Sequence, residues 1–439
     1  MINPINHIKN IKYYLIFIIL FPTFDLFDGF FGFSGGTVIF RLIIILLLAS
    51  FFLKYYHKIN LINDQHRTFI NLLFSFFLLF LFLVSWSLFY DLDNIIIRDI
   101  FELHRPLYYS LIIMISMILW SNDILLHKYI IRVLIVIATF EIVLAFLHIN
   151  RVNLLQNVLT LYTKKPNAFG YRSTGTFGNP YDYGIVMIFF TFIIFQSYRL
   201  EKKYYLAALS ILSFIAILLS QSKTAIYVFI FCVFYCILFL IVTHFNVKDL
   251  SKYFAIIFIV TALGIVYYQD IYNYFIDQFV YMERAFDIKR LIRKSFQSGN
   301  RLYDLFWVIE RYKNANILNW LFGLGIGKGI YDDIEFGYAL YLYRYGLVGL
   351  ILYISILFTG VIISYKAFKK AKNSGMKNYN KLFFAYHIWS FGLIIGTFAN
   401  NFIDQPRITF LYFTFFGMCL GYLLSNFSDK DYNIVCLNY

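Results

Sequence analysis

Apolar residues fill stretches of about 16 to 30 positions along almost the whole chain, separated by short polar breaks. A helix crossing the hydrocarbon core of a bilayer needs about 20 mostly apolar residues. The pattern predicts twelve such spans, at 12–31, 37–53, 68–89, 106–121, 127–149, 181–198, 204–220, 223–243, 252–269, 336–365, 382–400 and 408–426. Helices are required because backbone polar groups in lipid must be satisfied within the segment. The expected fold is therefore all-α, a polytopic membrane protein with one integral membrane domain over 1–439. One polar segment, 270–335, interrupts the alternation between spans nine and ten. Leu302, Leu305, Phe306 and Ile309 recur within it at helical spacing, so it reads as a long loop carrying amphipathic helices.

Composition agrees with lipid as the solvent. The chain is 61% hydrophobic and only 14% charged, whereas soluble domains sit nearer a quarter charged. The first apolar run lacks a small-residue cleavage site, so no cleavable signal peptide is expected. Cys232, Cys236, Cys419 and Cys436 form no CxxC pair, which points to neither a disulfide framework nor a zinc site. A net charge of +14 would suggest nucleic acid in a soluble protein, but topology supplies another source. With the N-terminus inside, the inner segments, including the basic loop 366–381, hold 19 of the 38 basic residues and 6 of the 24 acidic ones. Lys and Arg collect on cytoplasmic loops, so nearly all the net charge is an orientation signal. Both termini are expected inside and the loop 270–335 outside.

The outer side retains basic residues in two places. Loop 150–180 carries Arg151, Lys164, Lys165 and Arg172, and loop 270–335 carries Arg284, Lys289, Arg290, Arg293, Lys294, Arg301, Arg311, Lys313 and Lys328. Long translocated loops tolerate such charges as plain solvated groups; the alternative is an anionic ligand at the outer leaflet. Arg172 precedes Gly175, Gly178 and Asn179-Pro180, a turn and helix start. A guanidinium held there grips phosphate with paired donors, or simply meets lipid headgroups. Ser220-Gln221-Ser222-Lys223-Thr224 forms a tight hairpin whose hydroxyls can cap helices and whose Lys223 adds positive charge near Arg172. Ser298-Gly299-Asn300-Arg301 opens the amphipathic helix, and a cation in the first turn opposes the helix dipole.

Gly323, Gly325, Gly327 and Gly329 do not make a P-loop, because Lys328 is followed by Gly329 where Ser or Thr is needed. They read instead as a turn that lets backbone approach a bulky ligand. Glu335 stands at the mouth of span ten with Tyr338, Tyr341 and Arg344, either as a general base or as an ordinary helix-start acid. Gly346 and Gly349 suit close helix packing. Within span five, Glu141 and His148 share a face, and Glu141 is expected to pair structurally with Arg41.

Together these motifs resemble the O-antigen polymerase and O-antigen ligase superfamily of bacterial membrane glycosyltransferases. The resemblance rests on Arg172 to Pro180 before a span, Ser222-Lys223-Thr224 in a hairpin, Gly299-Asn300-Arg301 opening the outer loop, Gly323-Leu324-Gly325-Ile326-Gly327, and Glu335 followed by Tyr341-Leu342 and Gly346-Leu347-Val348-Gly349. It covers about 165–360; the first four spans match only in being hydrophobic. It implies a polymerase that moves a glycan chain from undecaprenyl pyrophosphate onto a sugar hydroxyl of the next lipid-linked repeat unit, with inversion. It implies the bacterial inner membrane, an active site on the periplasmic face, no cofactor, no metal, no nucleic acid, and a chain-length regulator protein as a further partner. The implied catalytic residues are Glu335, Arg172 and Arg301, and the implied substrate-binding residues are Arg172, Arg301, Lys223, Arg344, Asn179 and Arg290. Where ligases commonly carry a His this chain has Glu335, which favours polymerase; Tyr181-Asp182 is a second departure from the family pattern. A ligase acting on lipid A core or protein is the near alternative. A lipid-linked oligosaccharide flippase is the alternative of another class, and it would place cations inside the spans.

Overall fold

The computed structural model describes residues 45–46, 49–50, 64–90, 97–122, 126–149, 172–243, 301–326 and 334–425. The expected spans 12–31 and 252–269 and most of 37–53 lie outside these residues, as does 270–300 of the outer loop. The described chain is helical and contains no strand. Its main elements are α1 (Asp64–Tyr90), α2 (His104–Asn122), α3 (Leu126–Ile149), α4 (Pro180–Glu201), α5 (Tyr204–Leu219), α6 (Lys223–Thr243), α7 (Arg301–Tyr312), α8 (Ile317–Phe322), α9 (Gly337–Asn373), α10 (Lys377–Gly396) and α11 (Pro406–Leu424). Six of them, α1, α3, α4, α6, α9 and α11, contain stretches long and apolar enough to cross a membrane. α5 is apolar but shorter.

The helices alternate in direction, joined by short links at Lys202-Lys203, 220–222 and 374–376. α4, α10 and α11 form the centre. α11 packs most extensively on α2. A Cβ added at Gly417 would lie 2.5 Å from Ile113 O, and one at Gly421 2.4 Å from Met117 O. That small-xxx-small spacing is what lets the two backbones approach. Trp389 of α10 donates its indole N–H to Ile185 O at 2.8 Å, which satisfies a fully buried donor across the α4–α10 interface. At the rim, α1 and α9 turn Leu72, Phe74, Phe89, Ile351 and Phe358 outward. Such large exposed apolar faces suit a lipid surround.

Alternation gathers two faces. One carries the ends of α3 and α10, the starts of α2, α4, α6, α9 and α11, and the helices α7 and α8. The other carries Lys side chains that finish helices. Lys370 Nζ donates to Tyr422 O at 2.9 Å and Ser425 O at 2.7 Å, and Lys372 Nζ donates to Thr243 O at 2.6 Å. A cation at the last carbonyls of α11 and α6 satisfies orphan acceptors and complements the dipole. Lys381 and Lys203 both pair with Glu201.

Candidate functional site

The chain before α4 is strapped to the α5–α6 hairpin. Ser173 N donates to Leu219 O at 3.0 Å and Arg172 Nε to Ser220 O at 3.3 Å, with the Arg172 guanidinium 4.9 Å from the Tyr181 ring centre. The hairpin is capped as expected: Ser222 Oγ accepts from Ala225 N at 3.2 Å. Lys223 opens α6 directly beyond that cap. Sequence reasoning grouped Arg172 with Lys223, and the fold brings their two segments together. Asn179 is different. Its Oδ1 accepts from Asp182 N at 2.8 Å and its Nδ2 donates to Asp182 Oδ2 at 2.7 Å. Both polar ends are spent on starting α4, so its expected substrate contact gives way to a cap. Asp182, a departure from the family pattern, is the partner in that cap.

Deeper in the same loop, Thr174 N donates to His148 Nδ1 at 3.3 Å. Thr176 N donates to Glu141 Oε2 at 3.0 Å, and the Thr176 hydroxyl donates to Glu141 Oε1. Arg407 Nη1 donates to that same hydroxyl oxygen at 2.8 Å and lies 4.1 Å from the Phe177 ring centre. The fully buried Glu141 charge is thus opposed by Arg407 through one threonine. Arg41, its expected partner, lies outside the described residues; the cation the fold supplies comes from the start of α11.

Three residues before Arg407 a second polar group centres on Asp404. Its Oδ1 accepts from Tyr109 at 3.1 Å and Tyr341 at 2.8 Å, and its Oδ2 accepts from Asn401 and from Arg105 Nη1. Arg105 also pairs with Glu102. Burial alone would raise the Asp404 carboxyl, but Arg105 and then Arg344 hold it down to about 2. Neither Asp404, Arg105 nor Arg407 stood out in the sequence. The polar run Asn400-Asn401 to Arg407 between two apolar stretches was the available signal.

The third component is a break in α9. At about 1.5 Å per residue, its 37 residues would span about 55 Å, well beyond the roughly 30 Å hydrocarbon core. The helix is interrupted at Gly346, with φ 64° and ψ −164°. Such a break exposes carbonyls, and each has a donor. Tyr312 OH donates to Leu342 O at 2.6 Å, Leu324 N to Tyr343 O at 2.8 Å, and the Ser87 hydroxyl to Arg344 O. The Gly323 turn (φ 101°) packs on this break: a Cβ at Gly323 would lie 2.3 Å from Arg344 O, and one at Gly346 2.4 Å from Leu321 O. This corrects two expectations. The Gly323 turn approaches the chain's own broken helix in place of a ligand, and Gly346 breaks a helix as well as packing closely. Arg344 sits at the break, 6% exposed, with Nε buried and lacking an acceptor. The neighbouring Tyr345 hydroxyl is also buried without a hydrogen-bond partner.

Glu335 is exposed, and its N–H donates to Asp304 Oδ2 of α7 at 3.2 Å. Arg301 opens α7, although its side chain, like Arg290, lies outside the described residues. α7 turns Val308 and Tyr312 onto Phe336, Leu342 and Tyr343, leaving Phe306 and Ile309 exposed. The apolar stripe expected from spacing is therefore rotated, because the fit to α9 selects its seat. Among the described residues no cluster of His, Cys, Asp and Glu could hold a metal ion. No protein-family model and no curated protein matches the chain.

Proposed function

We propose that this chain is a membrane glycosyltransferase that polymerises lipid-pyrophosphate-linked repeat units. The reading is carried by one observation: Arg172, on a loop strapped across the α5–α6 hairpin, stands on the same face of the bundle as Arg344, Arg407, Arg105 and the helices α7 and α8. In the proposed reaction an acceptor sugar hydroxyl attacks the anomeric carbon of the donor. The new C–O bond forms as the bond to the phosphate oxygen breaks. The lipid pyrophosphate leaves with the electron pair, and the hydroxyl proton passes to Glu335. Negative charge grows on the departing pyrophosphate, and a guanidinium already in place stabilises it without reorganisation.

The test is chain extension by the purified full-length protein in liposomes, supplied with lipid-linked repeat units already on the side of Glu335. Ladders longer than one unit are expected. Arg172→Ala should leave single units only, and Arg172→Lys should also fail because it lacks the paired donors. No extension by the wild type under these conditions would overturn the reading. Attachment of preformed glycan without extension would point to the ligase, and loss of units from one leaflet without bond formation to a transporter.

A further inference from the structure

We infer that Arg344 is the phosphate-binding arm of a second anion site, built at the break in α9. The assignment deepens the proposed reaction and rests on it only for the identity of the natural ligand. A guanidinium is always charged and carries five N–H donors with no acceptor of its own. Burying it without direct pairing costs free energy, so a buried arginine is ordinarily ion-paired and hydrogen-bonded. Arg344 is buried, its Nε meets no acceptor, and no carboxylate among the described residues forms an ion pair with it.

Asp404 is the carboxylate whose field Arg344 feels most clearly, yet it is already occupied. Tyr109, Tyr341, Asn401 and Arg105 fill its two oxygens. Asp404 therefore offsets the charge of Arg344 at a distance and leaves its donors for something else.

The surroundings are organised to keep that arrangement. Gly346 and Gly323 take left-handed backbone conformations against each other, and the Leu342, Tyr343 and Arg344 carbonyls are each satisfied by a donor from another element. The break is thus complete in its backbone hydrogen bonding with no ligand present. What remains unsatisfied is the Arg344 Nε–H and the Tyr345 hydroxyl. Two unmatched polar groups on adjacent residues, one a cation, fit a tetrahedral oxyanion. Intramembrane arginines that lack a direct partner mark substrate paths, and broken spanning helices are tolerated where they line a cavity. A phosphate at this depth arrives on a lipid, as a lipid-linked diphosphate or as a phospholipid headgroup.

Thermal unfolding of the purified full-length protein separates these cases. Wild type, Arg344→Met and Asp404→Asn are melted in nanodiscs of neutral lipid, then with inorganic pyrophosphate, with a short-chain polyprenyl pyrophosphate, and with phosphatidylglycerol added. Wild type should be stabilised by at least one of the three. Arg344→Met should melt without ligand no lower than wild type, since it removes a buried cation that has no direct partner, and should bind about tenfold or more weakly. A larger shift with the polyprenyl pyrophosphate identifies the lipid-linked donor as the source; a larger shift with phosphatidylglycerol identifies a bound phospholipid. Equal binding by Arg344→Met overturns the assignment, as does a wild type stabilised by none of the three. A drop in ligand-free stability for Arg344→Met as large as that of Asp404→Asn would make Arg344 a structural partner of Asp404 and also overturn it. Binding that is intact in a protein that never extends glycan would instead sink the polymerase reading alone.

Discussion

At the residue scale, the tightest constraint is Asp404. It neutralises Arg105 directly and Arg344 through the field, and four donors converge on it. Removing the charge while keeping the shape leaves two buried cations without their counter-ion. Asp404→Asn should destabilise the protein by about 3–5 kcal/mol, read as a fall in the unfolding midpoint at neutral pH. The pH dependence has a definite sign. A carboxyl held at about 2 when folded and near 3.9 when unfolded contributes stability above pH 4. That contribution is lost as pH falls from about 4 towards 2. Asp404→Asn should therefore lose its disadvantage against the wild type in melts taken below pH 3. Glu335 is exposed and caps nothing with its side chain in the bonds described above. Glu335→Gln should leave stability within about 0.5 kcal/mol and abolish extension if the carboxylate is the base; normal ladders would reduce it to a helix-start acid.

At the element scale, the break in α9 is the feature that local pattern disguised. Tyr338 to Leu350 reads as continuous apolar helix, and a glycine inside such a run in a membrane commonly means close packing. Left-handed geometry at Gly346 appears only once α8 and the Gly323 turn are docked, because the docking needs Leu321 O against the Gly346 Cα. Gly346→Ala adds a methyl where no room exists, in a conformation L residues avoid. It should cost about 1–3 kcal/mol and weaken pyrophosphate binding; Val348→Ala, two residues on within the helix, serves as the control. By contrast, helix ends were legible. The expected spans 127–149, 204–220 and 223–243 fall on Leu126–Ile149, Tyr204–Leu219 and Lys223–Thr243. Asn179-Pro180 opens α4 as read, since a cap and a proline act through bonds within a few residues. The seat of α7 was not legible, because spacing gives an apolar stripe but not which edge of it meets the bundle.

At the scale of the whole molecule, charge is distributed by face. Lys370, Lys372, Lys381 and Lys203 finish helices or pair with Glu201 at one end, while Arg105, Arg172, Arg344 and Arg407 are buried at the other. Lys203 and Glu335 are both exposed, at opposite ends. Single cysteines at these positions, in a Cys436→Ser background, should react with an impermeant maleimide from opposite sides of sealed vesicles. Labelling of both from one side would break the proposed topology. The native Cys232, Cys236 and Cys419 are buried and should stay unlabelled.

The apolar runs by themselves determined an all-helical chain and most helix limits, because lipid forces each backbone to satisfy its hydrogen bonds locally, within reach of the sequence pattern. Capping residues and turns were equally local and equally readable. Which ionisable side chains meet was decided only by tertiary structure. Glu141 finds Arg407 across 266 positions through Thr176, and Asp404 gathers Tyr109, Arg105 and Tyr341 from two other helices. Those encounters depend on how helices stack and where one of them breaks. No periodicity along a single chain encodes that geometry.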